Sequence, residues 1–294
     1  MQGPFPGHAG PVKIDDPAFQ QQIANGLDRA YVDAFRSPHP FRLGIDRMVI
    51  FSDLHKGARN GADDFRRCEQ AYNAALAYYY ALGYWLVELG DLEELWEEDA
   101  RSVVRNYGRT LQLSARFHLD PEGRGSRYTR VWGNHDDHWN RKGQVDKFLG
   151  PIYSPAGAPA LEVHGSVILP VEDGSGSRLG EIFLAHGHQG TFESDKVSWL
   201  SRAFVRYVWR PWQRLTKVSL NTPRKDWRLR ERHDRAMHRW AASKECHDLV
   251  FIAGHTHRPV LLSRSRVEML VAEIALVQDA LRREDTAPHL PQHL

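Results

Sequence analysis

Short runs with strand character recur along this chain, and each stops at glycine or a polar residue. Met48–Phe51 leads into Ser52, Asp53, Leu54 and His55, and Trp85–Leu89 into Gly90 and Asp91. Arg130–Trp132 leads into Gly133, Asn134, His135 and Asp136, Phe183–Ala185 into His186, Gly187 and His188, and Leu249–Ala253 into Gly254, His255, Thr256 and His257. Runs this short, ending at turn formers, read as buried strands. Between the first pairs the spacing predicts helices over about 64–82 and 94–117. Strand and helix alternate, which predicts an α/β sheet core. Leu161–Val171 and Glu181–Ala185 flank Asp173-Gly174-Ser175-Gly176 and read as a hairpin. Upstream, Phe19, Ile23, Leu27, Tyr31 and Phe35 fall on one helical face, with Pro17 suited to the helix start.

From about 193 to 245 the pattern changes. Val197, Leu200, Phe204, Tyr207, Val208, Trp212 and Leu215 line one helical face. Arg202, Arg206, Arg210 and Arg214 form a basic stripe, and Pro211 predicts a kink. The region reads as a helical cap inserted in the core. Such a stripe serves three ends: a packed cap helix, a lipid or membrane-surface contact, or a nucleic-acid contact with Trp stacking on bases. Val267, Leu270, Val271, Ile274, Val277 and Leu281 predict a last helix over about 266–283. The organisation expected is an N-terminal tail and helix at 1–40, a core at 41–265 that contains the cap, and a C-terminal helix and tail at 266–294.

Composition narrows the compartment and the chemistry. The 294 residues suffice for one large α/β domain with an insertion. A net charge of +2 does not select a partner. The two cysteines, Cys68 and Cys246, are far apart, which excludes a disulfide framework or a CxxC zinc site and fits a reducing compartment. No run of about 18 apolar residues predicts a membrane span, and the first residues lack the apolar core of a secretory signal. The expected location is cytoplasmic, with peripheral membrane contact through the basic cap. Sixteen histidines is a high number, and metal binding is its first explanation.

The strand ends deliver carboxylate, imidazole and amide groups without thiolate. Open α/β sheets gather their sites at the carboxyl ends of strands, and this donor set suits Mn, Fe or Zn. Two residues apart in extended chain, Asp53 and His55 would share one face, as would His255 and His257. Gly90, Gly133 and Gly254 would let the backbone turn close to the ions. Glu94, in an acidic run, reads as a first-turn helix residue favoured by the helix dipole.

In that order, Asp53-x-His55, Gly90-Asp91-x-x-Glu94, Gly133-Asn134-His135-Asp136, His186 and Gly254-His255-x-His257 resemble the calcineurin-like metallophosphoesterase superfamily over about residues 47–260. The resemblance implies a β-sandwich of two mixed sheets flanked by helices. It implies two divalent ions, manganese first and iron or zinc as alternatives. Asp53, His55 and His257 would bind one ion and Asn134, His186 and His255 the other, with Asp91 bridging. His135 would be the general acid, oriented by Asp136, and a water between the ions the nucleophile.

Gly90-Asp91-Leu92-x-Glu94-x-Trp96, Gly254-His255-Thr256-His257-Arg258-Pro259 and the basic insertion are similar to UDP-2,3-diacylglucosamine pyrophosphatases, which cleave a lipid A precursor at the membrane surface. The expected reaction is therefore hydrolysis of a phosphodiester or pyrophosphate bond in a phosphorylated small molecule or lipid. His188, Arg202, Arg206 and Arg210 are the candidate substrate contacts, His188 being read as solvent-exposed. A nuclease or nucleotide phosphodiesterase with the same core, and a non-catalytic scaffold, are the competing expectations.

Overall fold

The computed structural model describes residues 16–61, 63–120, 126–190, 227–244 and 248–257, together with Val271, Ile274, Ala275 and Gln278. Arg202, Arg206 and Arg210, and with them the basic stripe, lie outside the described residues.

Two sheets form the centre. In the first, β3 (Met48–Phe51), β4 (Trp85–Leu89) and β5 (Tyr128–Val131) run parallel with β4 in the middle. The second has the order β1 (Phe35–Arg36), β6 (Ser166–Glu172), β7 (Arg178–Ala185) and β8 (Leu249–Ile252), with β2 (Phe41–Arg42) also on β6. Among its described strands only the β6–β7 pair is antiparallel; it is the expected hairpin, closed at Asp173, whose Oδ1 accepts the Ser175 and Ser177 amides. The α/β class is thus present. The expectation of two mixed sheets needs correction, since the described strands of the first sheet are all parallel.

Side-chain alternation along the strands sets the layers. Val87, Leu89 and Val131 meet Val167, Leu169 and Leu184 in a core shared by the two sheets. On the outer side of the first sheet, Leu86 packs with Phe65, Tyr72, Leu76 and Tyr80 of α2 (Phe65–Ala81) and with Val103 and Phe117. Those last two belong to α3 (Ala100–Asn106) and α4 (Gly108–Leu119). On the outer side of the second sheet, Ile168, Phe183 and Ala185 pack with Ile23 and Leu27 of α1 (Pro17–Val32). Ala236, Met237 and Trp240 of α7 (Trp227–Ser243) join the same cluster. Before α7 come α5 (Lys142–Phe148) and α6 (Gly150–Tyr153), which close a further cluster around Trp139.

Several boundaries differ from expectation for local reasons. The first helix starts where Asp16 Oδ1 accepts the Ala18 and Phe19 amides and Pro17 occupies the first turn. It ends at Val32, and Phe35 goes to β1 instead. The helix expected from residue 94 begins only at Ala100, where Asp99 caps the Arg101 and Ser102 amides. Within the stretch read as a cap, α7 is a layer of the core against α1, fixed by the Trp240 indole and Lys244 on Asp28 and by Arg232 on Asp16.

The chain divides into two compact units, Met1–His257 and Arg258–Leu294. In the second, the four described residues are helical and exposed, in keeping with a helix there. No helix among the described residues is long and apolar enough to cross a membrane.

Candidate metal centre

The loops after β3 and β4 are zipped together by backbone. The Asp53 amide donates to the Gly90 carbonyl at 3.1 Å, His55 to Asp91 at 2.9 Å, and Lys56 to Leu92 at 2.9 Å. Below them lies a buried chain of charges, Lys56–Glu93–Arg130–Glu88, every member fully inaccessible. Arg130 reaches Glu93 at 2.5 Å and Glu88 at 3.3 Å, and Trp139 Nε1 donates to Glu93 at 2.8 Å. Buried charges persist only when so paired. The chain ties β4, β5 and both loops into one base for the site.

On that base the candidate ligands converge. The ligand atoms of Asp53, His55 and His257 lie within 4.8 Å of one another, as do those of Asp91, His186 and His255. The Asp91 Oδ2 atom is 3.1 Å from His186 Nε2 and 3.8 Å from His55 Nε2, so one carboxylate oxygen faces both groups. Asn134 is buried, and its backbone carbonyl accepts the Trp96 indole at 2.5 Å. These clusters have the composition and closeness to hold a metal ion.

The backbone is unusual here. Among the described residues, seven non-glycine residues have positive φ, and five of them are Asp53 (58°), His55 (48°), Asp91 (52°), His255 (71°) and His257 (51°). The left-handed region costs a non-glycine residue roughly 1–2 kcal/mol, and among such residues Asp, Asn and His adopt it most readily. Such strain concentrates where function requires a geometry. It also corrects the expectation of an extended Asp53-x-His55 and His255-x-His257. Left-handed turns, not strand alternation, bring each pair together.

The glycines act partly as expected. Gly90, with φ +80°, does supply a left-handed turn. Gly133 and Gly254 are needed for space: a Cβ on Gly133 would sit 2.3 Å from Asp91 Oδ1, and one on Gly254 2.1 Å from Ser52 Oγ.

Hydrogen bonds choose the tautomers. His186 Nδ1 lies 2.9 Å from the Leu89 carbonyl, which can only accept, so Nδ1 carries the hydrogen. A neutral ring then turns its Nε2 lone pair on Asp91 Oδ2, acceptor against acceptor. That arrangement calls for a cation between them. In the metal-free protein a proton takes this place: burial lowers the His186 pKa, but Asp91 and Asp53 outweigh it and push it up to about 9. A ligating histidine usually donates one ring N–H to a backbone carbonyl or carboxylate and keeps the other nitrogen for the metal, and the Nδ1–H of His186 on the Leu89 carbonyl is of that kind. The donor set and this geometry fit a divalent ion.

Burial drives His255 well below its ordinary value, with His186 and His233 adding to the effect, so the ring is held neutral. His188 is pushed down to about 3 by burial and by His186. It is 3% exposed, with its ring 5.3 Å from Trp132, so the expectation of a solvent-facing contact needs correction.

No family model, curated protein or solved structure matches the chain.

Two assignments shift with the geometry. Asp136 does not orient His135; its carboxylate accepts the Gly133 amide at 2.6 Å, Leu92 at 2.9 Å and Asp91 at 3.3 Å, so it shapes the loops. Burial, with Glu93 and Asp91 nearby, pushes its carboxyl up to about 7. Glu94 holds His135 instead. Its carboxylate is 2.8 Å from His135 Nδ1 and 3.2 Å from His55 Nδ1. Burial raises the Glu94 pKa, but His135 and His55 overcome this and bring it down to about 2. Trp96 stacks on the His135 ring at 4.3 Å.

Glu94, read in the sequence as a first-turn helix residue, and His233, not named there, are the residues of the site whose parts the sequence did not reveal. The spacing Gly90-Asp91-x-x-Glu94 was the available signal for the first. Beside His55 opens a cleft lined by Asn60, Asp63, Asp64, Glu94, Glu97 and Glu98. Its sign opposes the approach of phosphate from that side.

Proposed function

We propose that this chain is a dimetal-dependent phosphoesterase with the sandwich core of the calcineurin-like superfamily. Asp53, His55 and His257 would hold one ion, Asn134, His186 and His255 the other, and Asp91 would touch both. The observation that carries the reading is the pair of ligand clusters meeting at Asp91 Oδ2, with five of the ligands on left-handed backbone. Manganese is the first candidate, and iron or zinc also suit carboxylate and imidazole.

Bound ions would supply Lewis-acid stabilisation of the phosphoryl oxygens and an activated water. The protein's own part can be followed from its hydrogen bonds. Glu94, an anion, accepts a hydrogen bond from His135 Nδ1 and so stabilises the protonated ring, whose Nε2–H would give its proton to the departing oxygen and return the ring to its neutral form. Stacking on Trp96 keeps the ring in that plane. Asp91 accepts the His135 amide at 2.8 Å, which ties the acid to the metal-binding carboxylate. Lys56, Glu93 and Arg130 hold the loops beneath.

A phosphodiester or pyrophosphate bond is the proposed target, and a UDP-diacylglucosamine-like lipid the first substrate to test. Purified protein with Mn²⁺ should release UMP from UDP-2,3-diacylglucosamine, and EDTA should abolish the release. Cleavage of bis-p-nitrophenyl phosphate without UMP release would leave a phosphodiesterase of other specificity and turn attention to nucleotides and nucleic acids. Failure on both substrates, with metal bound, would refute the enzymatic reading.

A further inference from the structure

The His186-Gly187-His188 turn lies between two outer helices. On one side α7 brings His233, which is 7% exposed. Its Nε2 is 2.7 Å from the Gly187 carbonyl, and since a carbonyl only accepts, Nε2 carries the hydrogen and donates it. Gly187 has φ +109° and leaves no slack. A Cβ there would come within 3.3 Å of the Gly254 carbonyl and the His255 Cβ, and 3.4 Å of Met237 Sδ on α7. The Gly254 amide donates to the His186 carbonyl at 2.9 Å, so the turn is joined directly to the loop bearing His255.

The other side is α1. Gly26 packs backbone to backbone on the end of the turn, where a Cβ would stand 2.3 Å from the Gly190 amide nitrogen. The two helices are also joined to each other beside the turn. Arg232 lies 3.8 Å above the Phe19 ring and pairs with Asp16 at 2.8 Å, and the His233 ring meets Phe19 edge-on. Neither helix contributes a ligand among the described residues.

We propose that His233 is a positioning residue for the His186-bearing turn, and that α7 through it sets the metal affinity of the Asp91–His186–His255 cluster. The inference rests on the metal-binding reading above. Without the imidazole donor the Gly187 carbonyl loses a buried partner, and turning it toward another donor swings the adjacent His186 ring off Asp91. Groups that orient ligands from behind typically change metal affinity by about 10- to 100-fold.

Calorimetric titration of the full, metal-free chain with Mn²⁺ tests this. Wild type should bind two ions. His233→Leu should weaken one of them about 10- to 100-fold and leave the other as in wild type. His233→Gln, whose amide nitrogen reaches the position of Nε2, should restore wild-type affinity. Should the leucine variant not fold, His233→Asn replaces it: its shorter amide keeps the polarity but not the reach, and should weaken the same ion. Variants that all bind as wild type does, or a Gln variant as weak as the Leu or Asn one, would overturn the inference alone. Wild type that binds no Mn²⁺ would overturn the metal reading and the inference together.

Discussion

Replacing Gly133 with alanine would drive a methyl group into the candidate metal centre. The new carbon would lie 2.3 Å from Asp91 Oδ1, 2.6 Å from the Asp91 amide nitrogen and 2.7 Å from His186 Cδ2. Ordinary contact begins near 3.4 Å, so Asp91 Oδ1 would have to retreat by about 1 Å. It is not free to do so. Asp91 Oδ1 accepts the His135 amide at 2.8 Å, the Asp91 amide itself faces Asp136 Oδ1, and His186 is fully buried. Overpacking of this kind costs about 1–3 kcal/mol of stability, and displacing Asp91 by about 1 Å disturbs both residue clusters that its Oδ2 faces. Gly143 provides the opposite case: it lies inside α5, and a Cβ there meets nothing within 4 Å. At the second position of this seven-residue helix Gly143→Ala should stabilise by at most about 0.5 kcal/mol, alanine being the better helix former. Urea unfolding in EDTA gives the stabilities, and elemental analysis of protein reconstituted with Mn²⁺ gives metal content. Gly133→Ala should lose both stability and metal while Gly143→Ala loses neither. A Gly133→Ala protein with wild-type stability and full metal would refute the packing described.

Three further outcomes follow from the same contacts. Arg130→Met leaves Glu88 and Glu93 buried without their shared cation and should cost about 3–5 kcal/mol in urea unfolding; a loss below about 1 kcal/mol would contradict the buried chain. Burial raises the Glu93 pKa, but Arg130 and Lys56 outweigh it and bring it down to about 2, from an ordinary 4.5. A depressed carboxyl contributes stability that is complete above 4.5 and drains as pH falls toward about 2. Acid titration should therefore show a steeper loss in wild type than in Glu93→Gln over that window, and equal slopes would count against it. His135→Ala should keep its metal and lose about 10²- to 10⁴-fold in turnover, the range for a general acid; loss of metal instead would make His135 a ligand.

Legibility in the sequence varied with the range of the forces involved. Strands β3 and β4 match their expected bounds because a bounded apolar run is a local signal. The seven candidate ligands were legible because each follows such a run. Their left-handed backbone was not, since nothing in Asp53-Leu54-His55 itself separates a turn from an extended pair. Glu94 was hidden for another reason. The acidic run at 93–99 has the look of a helix start, while its partners His55 and His135 stand 39 and 41 positions away in sequence. Glu93 in the same run is fully buried on Arg130, a pairing that only the folded sheet creates. His233 sits in a helix rich in charge of both signs, where one histidine gives no local sign of reaching a turn 46 positions earlier. The short helices α5 and α6 also escaped, having too few turns to show a period.

The central claim is tested most directly by the hydrolysis of bis-p-nitrophenyl phosphate, measured on wild type and Asp91→Ala with their metal content. Wild type loaded with Mn²⁺ should carry two ions and release nitrophenolate, EDTA should stop it, and Asp91→Ala should lose metal and activity together. Two bound ions without hydrolysis, or hydrolysis that survives in Asp91→Ala, would contradict the account.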